Sequence, residues 1–425
     1  MKRFILTLAV TLISTIAMAQ SLEECRRLAR EHYPEIRQYD LISQTEQYNI
    51  SNAARAWIPR VVLSGQATYQ SATPTYPEAL SSLMQANGIE MTGIRNDQYK
   101  VALDISQHIW DGGVSKANRA ISEAEAEEQR SRIDVALYEL EARVENIYFG
   151  ILLLDERVAE TEVLITLLES NHRRMQSYYR NGVARQADVD AVEAELLVAR
   201  QQLGQVESSR ASYRCILELF IGQRLETERL ERPAMVEPQS RTSARPELGL
   251  FEAQERMLTA QRKAINSSAM PRFSAFAQGY YGYPGLDMFK SMVSSEWRLN
   301  GVIGLRMSWN IGALYTKKNN LERLNIAEQQ IAVQRDIFSF NTELQRVQDD
   351  GEITRLRKAI EDDVRILELR RRVRIAAEAQ LENGVIDATD LLRKISDETN
   401  ASLARSTHEI ELLQAIYRLK TTLNQ

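Results

Sequence analysis

Few residues in this chain are equipped for chemistry. Its two cysteines, Cys25 and Cys215, could bridge in an oxidising compartment, or both could be buried thiols. Two cysteines exclude a disulfide scaffold and a cysteine-rich zinc module. The four histidines, His32, His108, His172 and His408, are scattered, which argues against a histidine-based metal enzyme. Met84, Met91, Met288 and Met292 fall in two loop-like stretches, 71–97 and 283–296. Thioethers suit Cu(I), but packing within the loops is the stronger reading. Tyr280-Tyr281-Gly282-Tyr283-Pro284-Gly285 reads as a strand end and turn, not as a phosphate loop. No nucleophile–base pair, ligand cluster or nucleotide loop stands out, so the chain reads as non-enzymatic and without a cofactor. What remains is carboxylates at helix starts. Asp387 could cap a helix, with Asp390 three residues on completing a capping-box-like pair. Asp188 falls in another first helical turn, where the dipole favours it.

The elements that hold these residues follow from composition and periodicity. Nine prolines and 18 glycines in 425 residues are few, so long helices are expected. With 44% apolar and 26% charged residues the chain is not compositionally disordered. Its formal net charge is −5. Removing Lys2 and Arg3 with a leader gives −5 − 2 = −7. That acidity excludes a general nucleic-acid binder, which needs a basic face.

A leader is expected over 1–19. Met1-Lys2-Arg3 is a basic start, Phe4 to Ile16 is an apolar run, and Ala17-Met18-Ala19 fits a small-x-small cleavage site before Gln20. The apolar run is shorter than the ~20 residues of a spanning helix. No later stretch approaches that length, so any membrane insertion must use strands. No cysteine sits at the cleavage point to carry a lipid anchor.

The remaining chain, 20–425, is written twice, as 20–231 and 232–425. Pro34-Glu35-Ile36 recurs as Pro246-Glu247-Leu248, and Pro59-Arg60 as Pro271-Arg272, both 212 residues later. Further on the offset is 202: Ser106 matches Ser308, Asn118 matches Asn320, and Asn181-Gly182-Val183 matches Asn383-Gly384-Val385. Asp188 matches Asp390 at the same offset. The loop between the strands absorbs the difference. Each half reads as helix, strand, loop, strand, then a long helical hairpin.

The strands fall within 57–110 and 271–309 and alternate with period two. Val61, Leu63, Gly65, Ala67 and Tyr69 oppose Ser64, Gln66, Thr68 and Gln70. Tyr99, Val101, Leu103, Ile105 and Ile109 oppose Lys100, Asp104, Ser106 and His108, with Gln107 an exception on the apolar face. Phe273, Ala275, Ala277 and Tyr281 oppose Ser274, Gln278 and Tyr280, with Phe276 an exception. Leu299, Ile303, Leu305 and Met307 oppose Arg298, Asn300, Arg306 and Ser308. Each run is near the ~9–11 residues of a tilted membrane strand. Trp57, Trp110, Trp297 and Trp309 flank the runs like an aromatic girdle.

The helical hairpins fall within 111–222 and 312–424. Ile133, Leu137, Leu140, Val144, Ile147, Ile151, Leu154 and Val158 step by four and three, the seam of paired helices. Ile337, Phe340, Leu344 and Val347 start a second seam, resumed at Ile353 and Leu356. From Gly113 to Asn181 a helix would run ~100 Å, several membrane cores long. Four strands cannot close a barrel in lipid, and open edges are not tolerated there. Two copies would supply about 8 strands and three about 12.

These signals together resemble the outer-membrane efflux factor family, the TolC-like proteins. The tips carry the resemblance: Asn181-Gly182-Val183-Ala184-Arg185-Gln186-Ala187-Asp188 and Asn383-Gly384-Val385-Ile386-Asp387-Ala388-Thr389-Asp390. Ala56-Trp57-Ile58-Pro59 and Ala269-Met270-Pro271 lead into strands as in the family. Trp110-Asp111-Gly112-Gly113 is similar to the family's strand-to-helix corner, from which Ile311-Gly312-Ala313-Leu314 departs.

The resemblance implies a mainly α fold with a membrane β-barrel part. Three copies would form a 12-stranded barrel in outer-membrane lipid and a helical barrel across the periplasm. The implied partners are a periplasmic adaptor and an inner-membrane transporter. The implied function is the exit duct of a tripartite efflux pump. A type I protein-secretion duct remains open, as does, on the residues alone, a coiled-coil envelope stalk without a conduit. The resemblance makes Asp390 and Asp387 pore-gate candidates, three copies of Asp390 forming a carboxylate ring that attracts cations. The family's second acidic position is Arg393 here. Asn181, Gly182, Val183, Arg185, Asp188, Asn383, Gly384 and Val385 become adaptor-contacting candidates. Gly182 and Gly384 read as left-handed helix ends. Lys100, Asp104, Arg298 and Arg306 become lumen-facing charges.

Overall fold

The computed structural model describes residues 21–88, 93–225, 229–238 and 243–424. The expected leader, 1–19, and Met91 lie outside the described residues. The element order is α1 (Leu22–His32), a 3-10 turn (Pro34–Arg37), α2 (Gln38–Arg55), β1 (Arg60–Tyr69), α3 (Glu78–Ala86), β2 (Asp97–Trp110), α4 (Val114–Arg180) and α5 (Gln186–Ile221). It continues as α6 (Pro246–Ser268), β3 (Arg272–Tyr283), α7 (Met288–Val293), β4 (Arg298–Ser308), α8 (Gly312–Glu382) and α9 (Ala388–Leu423). Pro34 and Pro246 act as the sequence suggests: one breaks α1 from α2, the other opens α6. The short helices α3 and α7 lie in stretches that read as loops.

The chain divides into two compact units. One holds α1, α5, α9 and most of α4 and α8. Its core is the seam read from the sequence: Ile133, Leu137, Leu140, Val144, Ile151 and Val158 are all buried. Phe149 packs its ring 5.7 Å from that of Tyr417. Gly150 leaves room for the Tyr213 ring, which a Cβ would meet at 2.6 Å. Two buried carboxylates tie the long helices together. Glu145 of α4 pairs with Arg26 and accepts from the Thr421 hydroxyl at 2.9 Å. Asp349 of α8 accepts from Arg418 Nε at 2.6 Å and from the Thr422 hydroxyl at 3.1 Å. Adjacent threonines of α9 thus reach two different helices. Burial pushes the Glu145 carboxyl upward, against the pull of Arg26. In the second seam, Ile353 and Leu356 are buried. Ile337, Phe340, Leu344 and Val347 are exposed, uncovered by any described residue.

The cysteines do not bridge. Both thiols are free, Cys25 buried and Cys215 exposed, so the reading of two buried thiols fails for Cys215. Burial pushes the Cys25 thiol up to about 12, helped by Glu24, so it is inert packing.

The other unit holds the sheet. Its strand order is β1-β2-β3-β4, with every neighbouring pair antiparallel. β2 is longer than its sequence pattern suggested, 14 residues, with a register irregularity between His108 and Trp110. Among the described residues β1 and β4 each have one neighbour, so both sheet edges are open there. Beyond β2 the chain turns through Asp111-Gly112-Gly113. Gly112 and Gly113 adopt φ of +72° and +87°. A Cβ on Gly112 would also meet the Met270 Cβ at 2.9 Å. Asp111 caps α4, accepting from Gly113 N at 2.9 Å and Ser115 N at 2.6 Å. Burial alone would raise its pKa, but the hydrogen bonds from Ser115 and Gly113 outweigh burial and hold it below the usual carboxylate range. The corner is therefore stabilised above a pH of about 4, and that stabilisation is lost as pH falls through the lowered value. In the second half, Gly312 has no left-handed φ and begins α8 directly.

Gly112→Ala should destabilise the protein by about 2 kcal/mol, from strain and clash together. Gly312→Ala should change stability by less than about 0.5 kcal/mol, because its new Cβ lies 3.4 Å from the Asn310 side chain in a relaxed backbone. Thermal unfolding followed by circular dichroism compares the two; equal losses would contradict this account of the corner.

Candidate functional site

Two regions carry the residues singled out by sequence: the faces of the sheet and the tips of the helical hairpins.

The register assigns each strand residue to a face. Leu63 pairs with Leu103, Leu103 with Gly279, and Gly279 with Gly301, all on the apolar face. That face is bare: Leu63 is 72% exposed, Leu299 83% and Ile303 86%. Aromatic rings mark both of its ends. Trp110 lies 6.0 Å from Phe273 where strands join helices. Trp297 lies 6.2 Å from Tyr99 and 5.5 Å from Tyr281 at the loop end. Such girdles form where indole and phenol rings meet a lipid–water boundary.

The polar face holds Lys100, Asp104, Arg298 and Arg306, as the alternation suggested. Lys100 and Arg298 flank Gly282 in one row. Arg298 reaches Glu296 at 3.6 Å. Asp104 pairs with Gln278, whose amide donates to it at 2.5 Å. The two exceptions to the alternation have physical causes. Phe276, on the polar face, lies over Gly304, where a Cβ would meet its ring at 3.0 Å. The Arg306 guanidinium stacks on that ring at 4.8 Å. Gln107, on the apolar face, donates to the Trp57 carbonyl at 2.7 Å. A cavity of about 600 Å³ opens on the loop end of the polar face, lined by Gln66, Gln70, Gln98 and Tyr280 among others.

Sequence reasoning missed Arg60 and Arg272. Register places Arg60 opposite Ser106 and Arg272 opposite Ser308, so both lie on the polar face. Extending each alternation one residue towards the preceding proline would have found them. The methionines separate: Met292 is buried with Ile94 and Tyr283, Met84 lines an apolar groove beside Phe289, and Met288 lines the polar cavity. They pack rather than assemble a thioether site.

The hairpin tips repeat one geometry. Gly182 and Gly384 have φ of +71° and +68°. Val183 N donates to Tyr178 O at 2.8 Å and Gly182 N to Tyr179 O at 3.0 Å. Val385 N donates to Gln380 O at 2.9 Å and Gly384 N to Leu381 O at 3.0 Å. These are paired Schellman endings, and only glycine takes the left-handed position without strain. Asn181 N and Asn383 N close the last helical turns, donating to Ser177 O at 3.1 Å and Ala379 O at 3.2 Å. Val183 and Val385 stand out from the tips, each 69% exposed. Beneath them Met175, Val189, Val192, Leu381, Leu391 and Ile395 pack the two hairpins together.

The carboxylates then differ. Asp188 accepts from Arg185 N at 2.9 Å, so it closes the start of α5 from the third position. Asp387 caps α9 by accepting from Asp390 N at 2.8 Å. Asp390 does not complete a capping box; its carboxylate lies 3.9 Å from Arg393 and is about half exposed. The expected reciprocal bond is made at the first tip and not at the second.

A sheet with one apolar and one polar face, followed in each half by a long helical hairpin, is a fold already known from solved outer-membrane channels. Residues 26–223 match the family model described as outer membrane efflux protein. No curated protein sequence matches the chain significantly. The fold is that of solved channels. The outer membrane protein VceC from Vibrio cholerae is 14% identical, with a TM-score of 0.70 over 95% of each chain. The Campylobacter jejuni CmeC outer membrane channel is 12% identical, with a TM-score of 0.68 over 95% of this chain and 85% of that one. The open state of the Neisseria gonorrhoeae MtrE outer membrane channel is 16% identical, with a TM-score of 0.68 over 95% and 89%. The TolC-like resemblance is therefore supported: residues 26–223 match the family model, and 95% of the chain takes the fold.

Asp387→Ala should cost about 1 kcal/mol through the lost cap. Asp390→Ala should cost less than about 0.5 kcal/mol, because any residue there keeps the N–H that Asp387 accepts. Thermal melts of both variants test this; a larger loss for Asp390→Ala would show that its side chain is structural.

Proposed function

We propose that this chain is the outer-membrane exit duct of a tripartite efflux pump. Three copies, each built from two repeats, close a 12-stranded barrel, and their hairpins form a periplasmic tube. One observation carries the reading: a bare apolar sheet face with both edges unpaired. In lipid such edges must find partners, and only further copies supply them. The uncovered seam at Ile337, Phe340, Leu344 and Val347 supports the same assembly on the helical side. An envelope stalk with a water-soluble sheet would have to hide Leu63, Leu299 and Ile303, and no described element packs on them.

The tips are the adaptor-docking ends in this proposal. Gly182 and Gly384 shape them, Val183 and Val385 offer the apolar contact, and the other tip residues frame it. Asp390 is the gate carboxylate, free of a capping role and facing Arg393. An inner-membrane transporter loads the cargo, drugs or other small toxic compounds, and the duct itself performs no chemistry.

Single-channel recording in a planar bilayer tests the gate. Wild-type protein should conduct and be blocked by multivalent cations from the tip side, and Asp390→Ala should weaken that block by about tenfold. An unchanged block would remove Asp390 from the gate.

A further inference from the structure

The sheet is basic in an acidic protein. The chain carries a formal net charge of −5. Yet its polar sheet face presents five cations, Arg60, Lys100, Arg272, Arg298 and Arg306, against the single carboxylate of Asp104. That carboxylate is engaged by Gln278, and Arg298 is engaged by Glu296. Arg60, Arg272 and Arg306 have no ion-pair partner among the described residues.

These three arginines gather at one end of the face, where strands join helices. Three successive rows of the ladder carry them: Arg60 with Ser106 and Phe276, then Ser274 with Arg306, then Arg272 with Ser308. Successive rows on one face are about 7 Å apart. His108 shares the middle row through Ser274. The other end of the face is rich in neutral amides, Gln66, Gln70, Gln98 and Gln278. Both edge strands contribute, Arg60 from β1 and Arg306 from β4, so closure with further copies continues the row as a ring. Arg306 is also held for binding. Its guanidinium carbon lies 4.8 Å from the centre of the Phe276 ring, and no described residue accepts a hydrogen bond from its nitrogens. A guanidinium edge matches a carboxylate, sulfate or phosphate with two parallel hydrogen bonds. Low-dielectric walls focus the field of such a ring into the conduit.

We infer that the barrel interior is an oxyanion-selective belt, and that the duct serves cargo bearing carboxylate, sulfate or phosphate groups. This rests on the channel reading above. Phe276, an exception to the strand pattern, becomes the platform that positions Arg306.

The test is block of the reconstituted channel by 1,3,5-benzenetricarboxylate, a rigid trivalent oxyanion, in planar bilayers. Wild type should show concentration-dependent block. The triple variant Arg60→Gln/Arg272→Gln/Arg306→Gln should conduct but bind the blocker about tenfold or more weakly. The triple Arg→Lys variant, which keeps the charge, should recover much of the block and controls for misfolding. A conducting wild type without block overturns the inference and leaves the channel intact. So does full block in the glutamine variant, which would place the anion elsewhere. A wild type that never conducts overturns the channel reading and this inference with it.

Discussion

Every strand needs two neighbours when its surroundings cannot hydrogen-bond. β1 and β4 have one each. Water could satisfy those edges, but the face between them is apolar and bare, which commits the sheet to lipid. In the proposed assembly, the backbone's demand for partners decides more than any side chain does. From it, in that proposal, follow the need for further copies and the enclosure of the polar residues.

The same constraint explains which parts of the fold are rigidly written. Where strands join helices, Gly112 takes a left-handed turn against Met270, and Asp111 fixes the start of α4. The second half reaches the same order of elements with a relaxed Gly312. The two tips, by contrast, are near copies in backbone geometry, down to the Schellman bonds and the exposed valines. They differ in their carboxylates, one closing its helix from the third position and the other from the cap. That difference releases Asp390 from a capping role. It leaves at the second tip a half-exposed carboxylate facing Arg393, the group proposed above as the gate.

Much of this was legible in the sequence, because periodicity and repetition are read residue by residue. The alternation gave the faces of Leu63, Asp104 and Arg306. The Asn-Gly pairs gave the left-handed helix ends. The seam from Ile133 to Val158 gave the helical core. What was not legible depends on partners distant in the chain. Phe276 looks misplaced until Gly304 and Arg306 come beside it. Gln107 looks misplaced until the Trp57 carbonyl does. Arg60 and Arg272 open their strands one residue before the alternation was read to begin, and register sets both on the polar face. The short helices α3 and α7 have too few turns for a period to stand out, and Cys215 is exposed where a buried position was one expectation.

The most direct test of the central claim is the protein mass of the detergent-extracted particle, measured by sedimentation with bound detergent subtracted. The account predicts three chains of 48.6 kDa each, less any leader removed on export. A monomer that stays soluble without detergent would contradict it, because the open edges and the bare face would then be compatible with water.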